Sequence, residues 1–245
     1  MKKQTFLKYF KVISVTLTVL FSIAVFSAVR FFSTDSSVVS ENAVSVSQPA
    51  ECTIVIDAGH GGEDGGAMGY LGIPEKEINL SISNKLSNVL NLFGVNVRMT
   101  RADDRLLYFD GQENRKKYND VRNRTGIVNE TENPVLISIH QNKFPLDKYF
   151  GLQVYYSKNN DGSLILAESI QQNAKEYLIE GNNRNVKGAG RNIYLLNNLN
   201  CPAVLVECGF LSNRAEEALL CDENYQRKVS FVIFSSVLDY ISNNV

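Results

Sequence analysis

Only two histidines occur in this 245-residue chain, and each closes an apolar, strand-like run. "TIVIDAGH" ends on His60 and "VLISIH" ends on His140. A third run of the same kind, "AVLVE", ends on Glu207. One polar residue at a strand end is an ordinary structural event. Two histidines and a glutamate delivered the same way form a set, because sites in open α/β sheets lie beyond the carboxyl ends of the strands. Catalytic zinc takes three protein ligands, commonly histidine and carboxylate, and keeps one position open. His60 and His140 supply two ligands. Spacing leaves the third open between Glu63, in an H-x-x-E arrangement, and Glu75, fifteen residues after His60. It also leaves Glu207 open as a ligand or as a proton-handling base.

Around His60, "DAGHGGEDGGAMG" holds six glycines between Asp57 and Gly69. Gly59, Gly61 and Gly62 are expected to let the backbone turn tightly around a ligand, since glycine tolerates conformations closed to other residues. Asp64 is expected to brace the loop or to accept the second ring N–H of a ligating histidine.

The elements that must position these residues read as alternating strands and helices. "CTIVIDAG", "VNVRMT", "PVLISIH", "GLQVYY" and "AVLVECGF" are the expected strands. From Lys76 to Phe93, apolar residues recur at Ile78, Ile82, Leu86, Val89, Leu90 and Phe93, and Gly94 then stops the helix. Further helices are expected over Arg115–Val128, Ser163–Ile179 and Tyr225–Ile241. The alternation implies an α/β fold: one catalytic domain with a mostly parallel central sheet flanked by helices.

Four stretches carry a resemblance. "DAGHGGEDGGAMG", "EKEINLS", "SIHQN" and "VLVECGFLSN" resemble, in order, the motifs of the zinc-dependent N-acetylmuramoyl-L-alanine amidases of the amidase_3 type. The resemblance covers the chain from about Thr53 onward. It implies one zinc per chain held by His60, Glu75 and His140, with Glu207 as the catalytic glutamate. It implies cleavage of the amide between N-acetylmuramic acid and L-alanine in peptidoglycan. Asn142 and Arg191 are expected as substrate contacts. The stretch from Arg101 to Glu130 resembles the sporulation-specific, germination-related amidases of spore-forming Gram-positive bacteria. Those act in cortex synthesis, on the way to muramic-δ-lactam. A general autolysin amidase, a zinc carboxypeptidase on stem peptides and a non-catalytic wall-binding protein are the alternatives. Two departures bear on substrate fit: Gln141 and Lys143-Phe144 are bulky after the second histidine, and Cys208 follows the catalytic glutamate.

Charge and composition set the surroundings. Of 25 basic and 26 acidic residues, five basic and two acidic lie in the first fifty, which leaves 20 against 24 for residues 51–245. Such a body lacks the basic face of a nucleic-acid binder. Four lysines precede Val12, and no charge occurs from Val12 to Val29. Residues 1–32 therefore read as a membrane anchor or a signal, and 33–50 as a flexible linker. The catalytic body, 51–245, is expected outside the cytoplasm, anchored, or secreted if the segment is cleaved. An activating protein partner is left open. Cys52, Cys201, Cys208 and Cys221 show no zinc-type spacing and are expected as free or buried thiols.

Overall fold

The computed structural model describes residues 52–244. The anchor and linker read in the sequence, 1–32 and 33–50, lie outside them. Among the described residues, no helix is long and apolar enough to cross a membrane. Six strands form one sheet: β1 (Thr53–Ala58), β2 (Asn96–Met99), β3 (Pro134–Asn142), β4 (Gln153–Tyr156), β5 (Lys187–Gly188) and β6 (Ala203–Phe210). The helices are α1 (Glu75–Leu92), α2 (Lys116–Asn129), α3 (Gly162–Tyr177), α4 (Tyr194–Asn197), α5 (Arg214–Leu220) and α6 (Glu223–Asn244), with a short 3-10 turn at Glu113–Arg115. The strand order is β2-β1-β3-β6-β4-β5. β1, β2, β3 and β6 run parallel, while β4 lies antiparallel to β6 and parallel to β5.

The central strands are buried on both faces, so alternation assigns every side chain to one side or the other. Ile54, Ile56, Ile137, Ile139, Val204, Val206 and Cys208 face the layer of α1, α6 and α3, which closes a large apolar core. Val55, Leu136 and Leu205 face a smaller cluster built with α2 and α4. Asp57, Ser138, His140, Asn142 and Glu207 share the parity of this second side. Its cover is thinner, and a groove opens there.

Helix α1 follows the expected spacing, burying Ile78, Ile82, Leu86 and Leu90. Gly94 ends it at φ +76°, with Gly94 and Val95 N–H groups donating back to Asn91 and Leu90. Phe93, expected on the core face, is instead 59% exposed. It sits at the C-cap, where the chain leaves helical geometry and the 3.6-residue period no longer aims the ring inward. All four cysteines are free thiols, with Cys52 and Cys208 buried.

Candidate metal centre and active site

The end of β1 is fixed from below by two buried arginines. Arg124 of α2 pairs with Asp57 at 2.6 Å and with Asp120 at 2.8 Å. Its guanidinium also donates to the carbonyls of Ala58 and His60. Arg101, just past β2, donates to the carbonyls of Ala58, Gly59, Lys76 and Asp103. Asp57 accepts further bonds from Thr100 and from Ser138, its register partner on β3. Burial works against the Asp57 carboxylate, but Arg124 and then Ser138 outweigh it and hold its pKa at about 2. Neither arginine is singled out by sequence reasoning. The Asp120/Arg124 pair at i,i+4 was the available signal, and it reads equally well as a solvated helix face.

This clamp holds His60 in a conformation that costs energy. Its φ is +60°, in the left-handed region that a non-glycine residue seldom enters. The ring Nδ1 meets Asp64 at 2.7 Å, which leaves Nε2 facing Glu75 at 3.3 Å. Glu75 is the first residue of α1, where the helix dipole favours a carboxylate. Its Oε2 accepts from Ala67 N–H, and its Oε1 accepts from Gln141 N–H and from Asn79. His140 Nδ1 lies 3.0 Å from the same Oε1.

Glycines make this closeness possible. A Cβ on Gly59 would overlap the His140 ring. A Cβ on Gly66, at φ +70°, would come within 2.6 Å of Glu75 Oε2 and 2.7 Å of His60 Cδ2. Of the three glycines expected to ease the turn, Gly61 and Gly62 do take positive φ, whereas Gly59 serves by making room.

Donor atoms of His60, Glu75 and His140 all lie within 4.8 Å of one another, so the three could hold a metal ion. Glu63 points elsewhere: it is exposed and pairs with Lys116 at 2.5 Å. The charge pattern suits a cation. Burial lowers the His60 pKa, but Glu75 and then Asp64 override it and bring it up to about 9. Glu75 is held well below the usual carboxylate range: burial opposes this, and the two histidines outweigh it. A cation bound among these three side chains would neutralise the Glu75 carboxylate.

Glu207 stands beside His140 in the β3–β6 register. Its Oε2 is buried and accepts no hydrogen bond from any described residue. Burial lifts its pKa to about 7; attraction to His140 offsets part of this, repulsion from Glu75 adds to it, and His60 offsets a little more. Just beyond, the register shifts between His140 and Asn142, with Asn142 opposite Phe210, so β6 carries an extra residue at the rim of the site.

His60, His140, Asn142 and Glu207 all line one groove of about 740 Å³, walled further by Lys117, Tyr155, Lys187 and Tyr194. Arg191 is exposed between two wall residues, Gly190 and Asn192, and does not line the groove itself. The departures at Gln141 and Cys208 do not line it. Both are buried on the opposite face of the sheet, where Gln141 donates to Asn79. Lys143 and Phe144 lie in a neighbouring surface hollow with Met68 and Tyr70.

A mostly parallel α/β sheet, with a His-Glu-His cluster that could hold a metal ion and a buried carboxylate oxygen without a partner beyond its strand ends, fits the class of the hydrolases. Comparison makes this specific. The family model of the N-acetylmuramoyl-L-alanine amidases matches residues 54–239, and the chain belongs to that family. The chain is 36% identical over 191 residues to the germination-specific N-acetylmuramoyl-L-alanine amidase of Bacillus subtilis, covering 77% of this chain and 79% of that one. It is 40% identical to the CwlD amidase of Clostridioides difficile, solved in complex with the GerS lipoprotein. That superposition has a TM-score of 0.74 and covers 78% of this chain and 98% of that one. A second amidase structure, from Clostridium difficile 630, matches at 30% identity with a TM-score of 0.67, over 79% of this chain and 98% of the other. The chain is therefore an enzyme that cleaves the amide between N-acetylmuramic acid and L-alanine, and peptidoglycan is its substrate.

Proposed function

We propose that this amidase is a zinc enzyme whose metal is held by His60, Glu75 and His140, with Glu207 as its acid–base group. The donor set of two imidazoles and one carboxylate is the chemistry zinc favours in hydrolases. Zinc bound there supplies Lewis acidity toward the amide carbonyl and toward water. The chain's own residues do the rest. Asp64 fixes the tautomer of His60 by taking its Nδ1–H. Glu207 Oε2 accepts the proton of the attacking water and returns it to the nitrogen of the departing L-alanine, a role worth about 10²–10⁴-fold. Asn142 lines the groove and is well placed to contact the substrate, while Arg191 serves at most from the rim.

The observation that carries this reading is the orphaned Oε2 of Glu207, buried beside the convergent ligands with no partner of its own. An unpaired buried carboxylate is costly, and a protein retains one where it acts. In the Glu207→Gln variant the fold and zinc content should persist while muropeptide turnover falls about 10²-fold or more. Loss of zinc with activity would make Glu207 a ligand, and near-normal turnover would remove it from proton transfer. Metal content in His60→Ala, Glu75→Ala and His140→Ala should drop well below wild type, and Glu63→Ala should keep its zinc.

We further infer a role in spore cortex maturation, supported by likeness to the germination-specific amidase and to CwlD. The body would act outside the cytoplasm on a membrane anchor formed by the segment before Ser33. The lipoprotein in the CwlD structure supports a protein partner of that kind for this chain. Deletion of the gene should remove muramic-δ-lactam from spore cortex, as read by mass spectrometry of digested sacculi.

A further inference from the structure

The strand order sets the groove residues in a row. From β1 through β3 and β6 to β4 and β5, the groove is lined in turn by His60, His140, Glu207, Tyr155 and Lys187. Tyr155 is paired with Leu205 of β6 on one side and with Lys187 of β5 on the other. Leu205 lies two residues before Glu207, so Tyr155 and Lys187 share the face of the sheet that Glu207 occupies. Strands stand about 4.8 Å apart and rise about 3.3 Å per residue, which puts the Lys187 backbone about 12 Å from that of Glu207.

This row gives the groove a direction. The substrate carbonyl meets the ligand cluster, and the departing nitrogen meets Glu207. The peptide that leaves with that nitrogen then runs on over Tyr155 toward β5, away from the ligands. In a peptidoglycan stem, the residue after L-alanine is a glutamate joined through its side-chain carboxyl, so its α-carboxylate is free. In an extended chain that carboxylate lies about 6 Å beyond the scissile nitrogen. The four-carbon stem of a lysine spans what remains.

Charge in the groove leaves one ion to meet it. Three lysine and arginine side chains line the groove among the described residues: Lys117, Arg124 and Lys187. Arg124 is committed to Asp57 and Asp120, and Lys117 meets Asp64 at 2.7 Å. Lys187 is exposed at the far wall, and its ammonium meets no carboxylate among the described residues. Lys158 lies against Gly188 nearby but does not line the groove.

We propose that Lys187 binds the free α-carboxylate of the second stem residue, and so selects stems that keep this carboxylate over stems in which it is amidated. The proposal rests on Glu207 serving the departing nitrogen.

Two muropeptides that differ only in this group, carboxylate or carboxamide, test it on the full chain. The wild type should cleave the acid with a kcat/KM about tenfold above that of the amide, the size of a charge-assisted contact in a half-open site. Lys187→Met should bring the ratio near one by raising KM for the acid alone, with kcat kept within about two-fold and the amide unaffected. Lys187→Arg should keep the preference, Lys187→Glu should invert it, and Lys158→Met should leave it unchanged. Carbodiimide coupling during turnover joins a bound carboxylate to the amine it touches, the reagent taking up the water lost as the amide forms. Peptide mapping should then find the stem on Lys187. A ratio near one in the wild type, a ratio that survives Lys187→Met, or coupling to Lys117 in place of Lys187 overturns the proposal. Loss of the ratio in Lys187→Met alongside near-normal turnover in Glu207→Gln keeps the carboxylate site and removes only the reading of Glu207.

Discussion

The two faces of the sheet are built on different principles. On one, α1, α6 and α3 bury a continuous apolar cluster from Ile54 to Tyr240. On the other, a small cluster gives way to ions: Asp57, Asp120 and Arg124 are buried, and beyond them lie His60, His140 and Glu207. Apolar packing is non-directional and tolerates repacking. Ion pairs and carbonyl-directed guanidinium groups fix positions, and they lose most when one partner goes. The apolar side therefore supplies bulk stability, and the ionic side supplies the geometry that a strained His60 needs.

The sharpest way to break this contrast is Arg124→Leu. Removing the guanidinium strands Asp57 and Asp120 in the interior and frees the carbonyls of Ala58 and His60. Stability should fall by about 3–5 kcal/mol in urea unfolding, the range for a buried pair deprived of one partner. Zinc content should fall with it, because His60 is no longer held. A matched cut on the apolar side, Ile82→Ala, should cost about 2–5 kcal/mol yet leave zinc stoichiometry near one in the folded fraction. Equal loss of zinc in both variants would mean that the clamp positions nothing.

Much of this was legible in the sequence. Periodicity located α1, α3 and α6, and strand ends placed His60, His140 and Glu207. Spacing alone left Glu63 and Glu75 undecided, because what sets Glu75 beside the two histidines is Ala67 N–H and the end of β3 folding over the start of α1. The two-residue β5 and four-residue α4 are too short to carry a period. The antiparallel run of β4 depends on a crossover that no local pattern records. Arg101 and Arg124 could not be read out because a buried arginine is spelled like a solvated one. Their burial depends on carbonyls that converge only after the loop is folded.

Acid should expose the ionic side alone. Asp57 has a folded pKa of about 2 against an ordinary 3.8. Its native state therefore binds fewer protons than the unfolded state, so its stabilisation is complete above about pH 4 and fades as the pH falls through 2. The loss should be about 2 kcal/mol over that window, from 1.36 kcal/mol per unit. Asp57→Asn should be less stable at neutral pH and should flatten that part of the pH profile. An unchanged acid slope in this variant would assign the acid sensitivity to other carboxylates.

The smallest effect tests the assignment of faces residue by residue. Cys208 follows Glu207 directly, so proximity in sequence suggests that it shapes the substrate site. Alternation along β6 sends it the other way, into the apolar cluster, where it is fully buried and its thiol lies 3.7 Å from the Val206 carbonyl. Burial also pushes the thiol pKa far above the physiological range, so it offers no thiolate for chemistry. Cys208→Val changes volume little and should shift stability by less than about 1.5 kcal/mol, as volume-conserving core swaps do. Both kcat and KM on muropeptides should stay within about two-fold of wild type, since neither the groove wall nor the proton path is touched. Asn142→Ala is the paired control, two residues from His140 but on the groove side, and it should raise KM with little loss of stability. If Cys208→Val instead raises KM while Asn142→Ala is silent, the groove reads the opposite face of β6 and the division between the two sides of the sheet fails at the site itself.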